Sequence, residues 1–413
     1  MKSEDTKLRT TQELVLLSIF LIPFYFFRFN LLGIKTNIFE VITFITFVVF
    51  LINHVNSLTI KKFNFSSVWI YLFLLSALIG TLLSADKVHA FGILKGWFFF
   101  PIVLFLLVLN TFNKTNASKL AIPIYLSSIL VSAWAILQKA GIIGLLFYQK
   151  QDPLSFNGYF SQGRAFGPFE SPNYLAMFLV PVFFLSLPIF KEVKNKGLEI
   201  IIALSFLLPL VAIYFSTSRG GAVAGATGAL ALILFLYFRS RVFRKKFEGM
   251  SNILIFGLIL VAALFLIYVV RIVSPNEGGD SVRLEIYNYS IALIKSHPFF
   301  GIGLGEFQNA IAEVSKGNGS FQEYGLSYAL HPHNLYLAMW LNLGLAGLVT
   351  FLGVLWIGFK NLFSKKDNIF IKSCLFAGLV AILVHGLFDT TYFKNDLSAI
   401  FWIILATSFI YKE

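Results

Sequence analysis

Charge is what this sequence has least of: Asp, Glu, Lys and Arg make up 13% of its 413 residues, against roughly 25% in soluble domains. That excludes an ordinary water-soluble fold, because too few polar side chains remain to cover the apolar ones. Cysteine is nearly absent. Its single copy, Cys374, lies in an apolar run, which excludes disulfides and cysteine metal sites. No repeat of fixed period is visible, and the two halves do not match, so the internal symmetry common in secondary transporters is missing. Acidic residues are the scarcer sign, 20 against 33 basic. In a soluble protein the excess of +13 would suggest nucleic acid; in a membrane chain it marks loops that face anionic lipid under the positive-inside rule.

What is abundant is apolar. Hydrophobic residues make up 57% and Phe alone occurs 48 times. Apolar stretches run over Leu14–Gly33, Ile38–Asn53, Val68–Ser84, Ala90–Asn110, Leu120–Ala140, Tyr174–Phe190, Leu198–Phe215, Gly220–Phe238, Ile253–Val273, Leu335–Phe359, Ile369–Phe388 and Leu397–Tyr411. Each is near the ~20 residues that cross ~30 Å of hydrocarbon. The expectation is an all-α polytopic membrane protein of about twelve transmembrane helices, one integral membrane domain over residues 1–413. The first stretch reads as an anchor rather than a cleaved signal, since it is longer than an h-region and no small-x-small site follows. An even number of spans puts both termini on one side. About 20 of the 33 basic residues fall in the loops of that side, among them Lys61, Lys62, Lys191, Lys194, Lys196 and the run Arg239–Lys246, which makes both termini cytoplasmic. The run itself reads as a topology and lipid anchor, not a nucleic-acid site. Gly221, Gly225 and Gly228 are spaced as small residues that let helices approach closely.

Two outer segments are too long for simple connectors: 141–173, and the larger 274–334 between the ninth and tenth spans. Within the second, Leu284, Ile286, Tyr287, Ile291 and Ile294 recur at near-helical spacing, as in an amphipathic helix lying over the outer face. Three arginines stand out: Arg164 in GRAFG, Arg219 in STSRGG and Arg283 in DSVRLE. A planar fork of donors suits phosphate oxygens, and several arginines together suit a diphosphate. The same residues also suit interfacial snorkelling or pairing with Glu170, Asp280 or Glu285. His331 and His333 flank Pro332 just before Asn334. Their spacing is not that of a helical zinc pair and no third ligand follows nearby, so no metal is expected. A histidine at a membrane mouth can act as a general base; alternatively Asn334 merely caps the tenth helix and the histidines bond nearby carbonyls. Arg28 and Lys95 read as snorkelling side chains. His385 and Asp389, four apart, read as a mutual pair in a packing or supporting role.

The ordered set RAFGPFESPNYLA, STSRGG, RLEIYNYSIALIKSHPFFGIGLGEF and HPHNLYLAMWLNLGLAGL resembles the O-antigen ligase and polymerase superfamily of bacterial envelope glycan enzymes. The resemblance covers about Gly163 to Gly347; the N-terminal third matches in hydropathy alone. It implies a multi-pass protein of the bacterial inner membrane with its active site on the periplasmic face. The implied donor is a glycan on undecaprenyl diphosphate, the implied acceptor the lipid A-core or a growing glycan. Neither cofactor nor nucleic acid is implied. By the same resemblance Arg219 and Arg283 match the arginines that grip the diphosphate, and His333 the proposed general base. Arg164 and Asn173 align with the pattern of the preceding loop; His331 and Asn334 are supporting candidates. Ligase and polymerase are alternatives within this chemistry, and a polyisoprenoid-glycan transporter is the alternative outside it.

Overall fold

The computed structural model describes residues 2–31, 33–54, 68–151, 158–159, 162–245, 278–315, 329–364 and 367–412. In order, the main helices are α1 (Lys2–Phe20), α2 (Ile38–His54), α3 (Val68–Leu83), α4 (Lys87–Thr111), α5 (Ala117–Lys139), α6 (Pro172–Lys191) and α7 (Lys196–Ser216). They continue as α8 (Arg219–Arg239), α9 (Gly278–Ser296), α10 (Phe307–Val314), α11 (Leu335–Leu362), α12 (Ile369–His385) and α13 (Asn395–Ile410). By length and composition α4, α5, α6, α7, α8 and α11 can cross a membrane; α2, α3, α12 and α13 are apolar but of 16–17 residues. The predicted ninth span, Ile253–Val273, lies outside the described residues.

Elsewhere the apolar stretches coincide with helices, and the first differs most. Its helix begins at Lys2 with a polar half and ends at Phe20. Pro23 then enters a short 3-10 turn, and Arg28–Leu31 (β1) pairs antiparallel with Ile34–Asn37 (β2) around Gly33 at φ 84°. A proline cannot continue the α1 ladder, and glycine supplies the left-handed turn position. Arg28 and Lys95 do not simply snorkel. Lys95 Nζ pairs with the buried Glu40 at 2.7 Å and Arg28 with Glu170 at 3.5 Å.

The core is aromatic. Trp402, on α13, packs with Phe73, Phe105 and Phe401, and its indole donates to Tyr392 Oη at 3.0 Å. Around it α13 packs on α4, α11 on α3, and α12 against both α6 and α8. Gly221 and Gly228 let α8 also pack closely on α6, because a Cβ there would meet Ala176 at 2.6 Å and Phe184 at 2.5 Å. Gly225 is only in ordinary contact range.

One break organises the segment before the tenth span. α11 is interrupted at Gly344 (φ 72°, ψ −178°), and the loop Phe299–Ile302 enters the gap. Ile302 N–H donates to Leu341 O at 2.8 Å and Leu345 N–H to Phe299 O at 3.1 Å. In an unbroken helix Leu345 N–H and Leu341 O would bond each other, so the loop satisfies both orphans. Beyond it Glu306 accepts from Ser84 Oγ at 2.6 Å and from Asp86 N–H at 2.8 Å, tying the segment to the end of α3. α9 is thereby held against the first half of α11. Its buried stripe is Ile286, Ser290, Leu293 and Ile294, while Leu284 (62%) and Ile291 (44%), expected on that face, are exposed.

Candidate active site

α6, α8 and α11 all begin at one end of the bundle. Each is capped by a side chain: Ser171 accepts from Tyr174 N–H, Ser218 from Gly221 N–H, and Asn334 from Tyr336 and Leu337 N–H at 2.9 and 3.0 Å. Three helix N-termini give this end positive dipole character that favours an anion. Asn334 is therefore a cap, and its amide also donates to Leu387 O at 3.1 Å.

The residues singled out from the sequence meet here. Arg164 donates from Nε to Ser216 O at 3.1 Å and from its guanidinium to Asn173 Oδ1 at 3.4 Å. Asn173 passes the contact on, donating to Asp389 Oδ2 at 3.3 Å. Asp389 Oδ1 lies 3.5 Å from His333 Nδ1 and 3.7 Å from His331 Nδ1. Arg219 opens α8. Next to it Gly220 packs on the His385 ring, where a Cβ would fall 2.8 Å from Cδ2. Arg283 stands one turn before Tyr287 on α9, and Tyr287 Oη donates to His333 O at 2.9 Å. Residues four apart share a helix face, so Arg283 is carried toward the same place.

Charge follows the geometry. Burial, and then the like charges of Arg283 and Arg219, lower the Arg164 guanidinium from its ordinary value, an environment that an anionic ligand would relieve. Burial opposes ionisation of Asp389, yet the attraction of His333, with His331 and His385 beside it, holds its carboxyl well below the usual range. His331 is pushed down to about 3 by burial first and the neighbouring His333 second, so it stays neutral. Its Nδ1 accepts from His333 N–H at 3.4 Å, which assigns its proton to Nε2. His333 Nδ1 is enclosed without a hydrogen-bond partner among the described residues; its nearest acceptor is Asp389. With its proton on Nδ1, turned to the carboxylate, His333 keeps a lone pair on Nε2 to accept a proton.

Backbone strain marks the same spot. Thr217, before the Ser218 cap, and His333 are left-handed non-glycine residues, at φ 50° and 46°. What sequence reasoning undervalued was Asp389. Its i, i+4 spacing to His385 was visible, but its central place between Asn173 and two histidines comes from the turn after α12, which returns the chain to the start of α11: Leu335 N–H donates to Gly386 O at 2.7 Å. That turn also supplies a third potential ligand beside His331 and His333, so the local-sequence objection to a metal does not hold in three dimensions.

No curated protein matches the chain. Arg164, Asn173 and Asp389 reach the site from outside the region where a family model matches. That region, residues 204–352, holds Arg219, Arg283, His331, His333 and Asn334 and is similar to the family described as O-antigen ligase, whose model matches it.

Proposed function

We propose that the protein is a membrane glycosyltransferase that moves a glycan from undecaprenyl diphosphate to an acceptor hydroxyl, as an O-antigen ligase with a lipid A-core acceptor. The observation that carries this reading is the convergence of Arg164, Arg219 and Arg283 with three helix N-termini beside the His333–Asp389 pair. Arginines at a helix mouth suit a diphosphate, and a histidine oriented by a carboxylate suits proton abstraction from a hydroxyl.

In this mechanism His333 Nε2 takes the acceptor proton as the acceptor oxygen bonds to the anomeric carbon. The bond from that carbon to the phosphate oxygen breaks with its electron pair, and the arginines stabilise the charge gathering on the departing diphosphate. Direct displacement inverts the anomeric centre. The guanidinium charges take the part that a divalent cation plays in other transferases, so the transfer runs without one. The polyprenyl chain keeps the donor in the bilayer, which accounts for a site at a helix mouth. The reading sets the protein in the bacterial inner membrane, with both termini cytoplasmic and the site on the periplasmic face.

A polymerase of O-antigen, capsule or exopolysaccharide would use the same groups on a different acceptor. A transporter would carry charges along a path through the bilayer, whereas the candidate residues gather at one end. Reconstitution with a defined lipid-linked donor and either acceptor tests the reading. Covalent product that is lost in His333→Ala supports it; translocation without product, or full activity in His333→Ala, Arg219→Ala and Arg283→Ala alike, overturns it.

A further inference from the structure

We propose that His331, His333 and Asp389 form a three-ligand site for a zinc-class divalent ion, and that its occupation switches the transferase off. The second half of this proposal rests on the function proposed above; the first half does not.

Histidines two apart in an extended strand would share a face but stand about 6.7 Å apart along the chain. Here Pro332 and the left-handed His333 fold the pair back, bringing the ring centroids to 4.2 Å. Both Nδ1 atoms then face one oxygen, Asp389 Oδ1, at 3.5 and 3.7 Å, and the three donor atoms lie within 4.8 Å of one another. Zn–N and Zn–O bonds of ~2.1 Å in a tetrahedron put neighbouring ligands about 3.4 Å apart, so an ion needs little movement of the side chains. The carboxylate is already oriented, with Asn173 on Oδ2 at 3.3 Å and Thr390 N–H on Oδ1 at 2.9 Å, as outer partners of metal ligands usually are. The enclosed His333 Nδ1 has no hydrogen-bond partner among the described residues. An ion would displace the long 3.4 Å contact from His333 N–H to His331 Nδ1 and the proton that His333 Nδ1 turns to Asp389. Both imidazoles are partly exposed, which leaves a side open for entry and for a fourth ligand.

The ligand set selects the ion. Two imidazoles and one carboxylate suit zinc, cobalt or copper, whereas magnesium and calcium require more oxygens than these residues supply. The nearby guanidiniums and Lys394 oppose any cation held by charge alone, which sharpens the preference for direct nitrogen bonds.

Inhibition follows from the tautomer. A neutral imidazole has one N–H; with Nδ1 of His333 bound to metal, its proton must sit on Nε2. That nitrogen then has no lone pair for the acceptor proton, and the base is lost although every residue remains in place.

The test uses the full-length protein in nanodiscs. Titration with Co2+, in the absence of glycan donor, should show a saturable visible absorption band that Zn2+ removes. Asp389→Asn and His331→Asn should each abolish the band, and Asn173→Ala should weaken Co2+ binding roughly tenfold. Zn2+ should suppress glycan transfer about tenfold or more at saturation, with recovery on chelation, while Mg2+ should not. No band from the wild-type protein, or one that survives both ligand substitutions, overturns the site. A bound ion that leaves transfer unchanged or raises it overturns the inhibitory role. Since the Co2+ titration needs no donor, a protein that binds the ion but transfers no glycan refutes the proposed function and leaves the metal site standing.

Discussion

Asn173 Nδ2 donates to Asp389 Oδ2 at 3.3 Å, joining the start of α6 to the turn after α12. On one side Asn173 receives the Arg164 guanidinium, and on the other Asp389 faces His333. Arginine and histidine are thus linked through two intervening side chains, so the residues proposed to hold the leaving group and to take the proton share one support. Tightly linked groups of this kind act as a unit, and their deletions are non-additive.

Removing the proposed base should cost roughly 10²–10⁴ in kcat. His333→Ala tests this at matched expression, and Asp389→Asn should fall in the same range because the amide no longer favours the Nδ1–H tautomer. The double variant should be little worse than either single one. Additive losses in steady-state transfer kinetics would separate the two residues.

Arg219→Lys preserves charge but not the planar fork. If two parallel hydrogen bonds to the diphosphate matter, the variant should lose most of its transfer, with Arg219→Ala only slightly worse. Near-normal transfer by the lysine variant would mean that Arg219 acts as a point charge.

Lys394 lies 3.8 Å from the Tyr174 ring centroid and pairs with Glu170, which also accepts from Tyr25 Oη at 2.7 Å. It thereby fastens the segment carrying Asp389 to the segment carrying Asn173. Lys394→Met should lower thermal stability and transfer together, and Lys394→Arg should restore both in part. Unchanged melting and transfer in the methionine variant would leave the pair without a positioning role.

Gly344→Ala should be severely destabilising. The residue sits at φ 72° and a Cβ would fall 2.1 Å from Phe299 O, so both the left-handed strain and the loss of the inserted loop count, together roughly 2–4 kcal/mol. Limited proteolysis should detect release of the segment that carries Arg283.

Acid should loosen the same segment through Glu306. Burial alone would raise its carboxyl, but Ser84 Oγ–H, Asp86 N–H and Asn309 hold it below the ordinary range. The unfolded chain therefore takes up the proton first as pH falls. Glu306 contributes stability above about pH 4.3, the unfolded glutamate value, and that contribution is lost as pH drops toward the lower folded value. The gap in melting temperature between wild type and Glu306→Gln should shrink with acidification over that range. A constant gap would mean that the carboxylate charge contributes nothing.

The helical class was legible because backbone groups in hydrocarbon must be satisfied within each segment, and only long apolar helices do this from local sequence. Arg219 and Asn334 were legible for a similar reason: they stand at helix starts, which punctuation such as Ser218 and Pro332 announces. The break at Gly344 and the exposed Leu284 were not, since each is settled by a partner distant in sequence, and the local β1–β2 hairpin was hidden at the end of an apolar run read as one span. Asp389 is the clearest case. Its spacing to His385 suggested a local pair, and only the turn after α12 carries it between Asn173 and His333. Local sequence, through hydropathy and caps, determined the solvent, the helices and which side chains stand at their ends. Which of those ends meet was decided by tertiary packing, because hydrogen bonds and ion pairs at 3–4 Å depend on how helices remote in sequence are brought together.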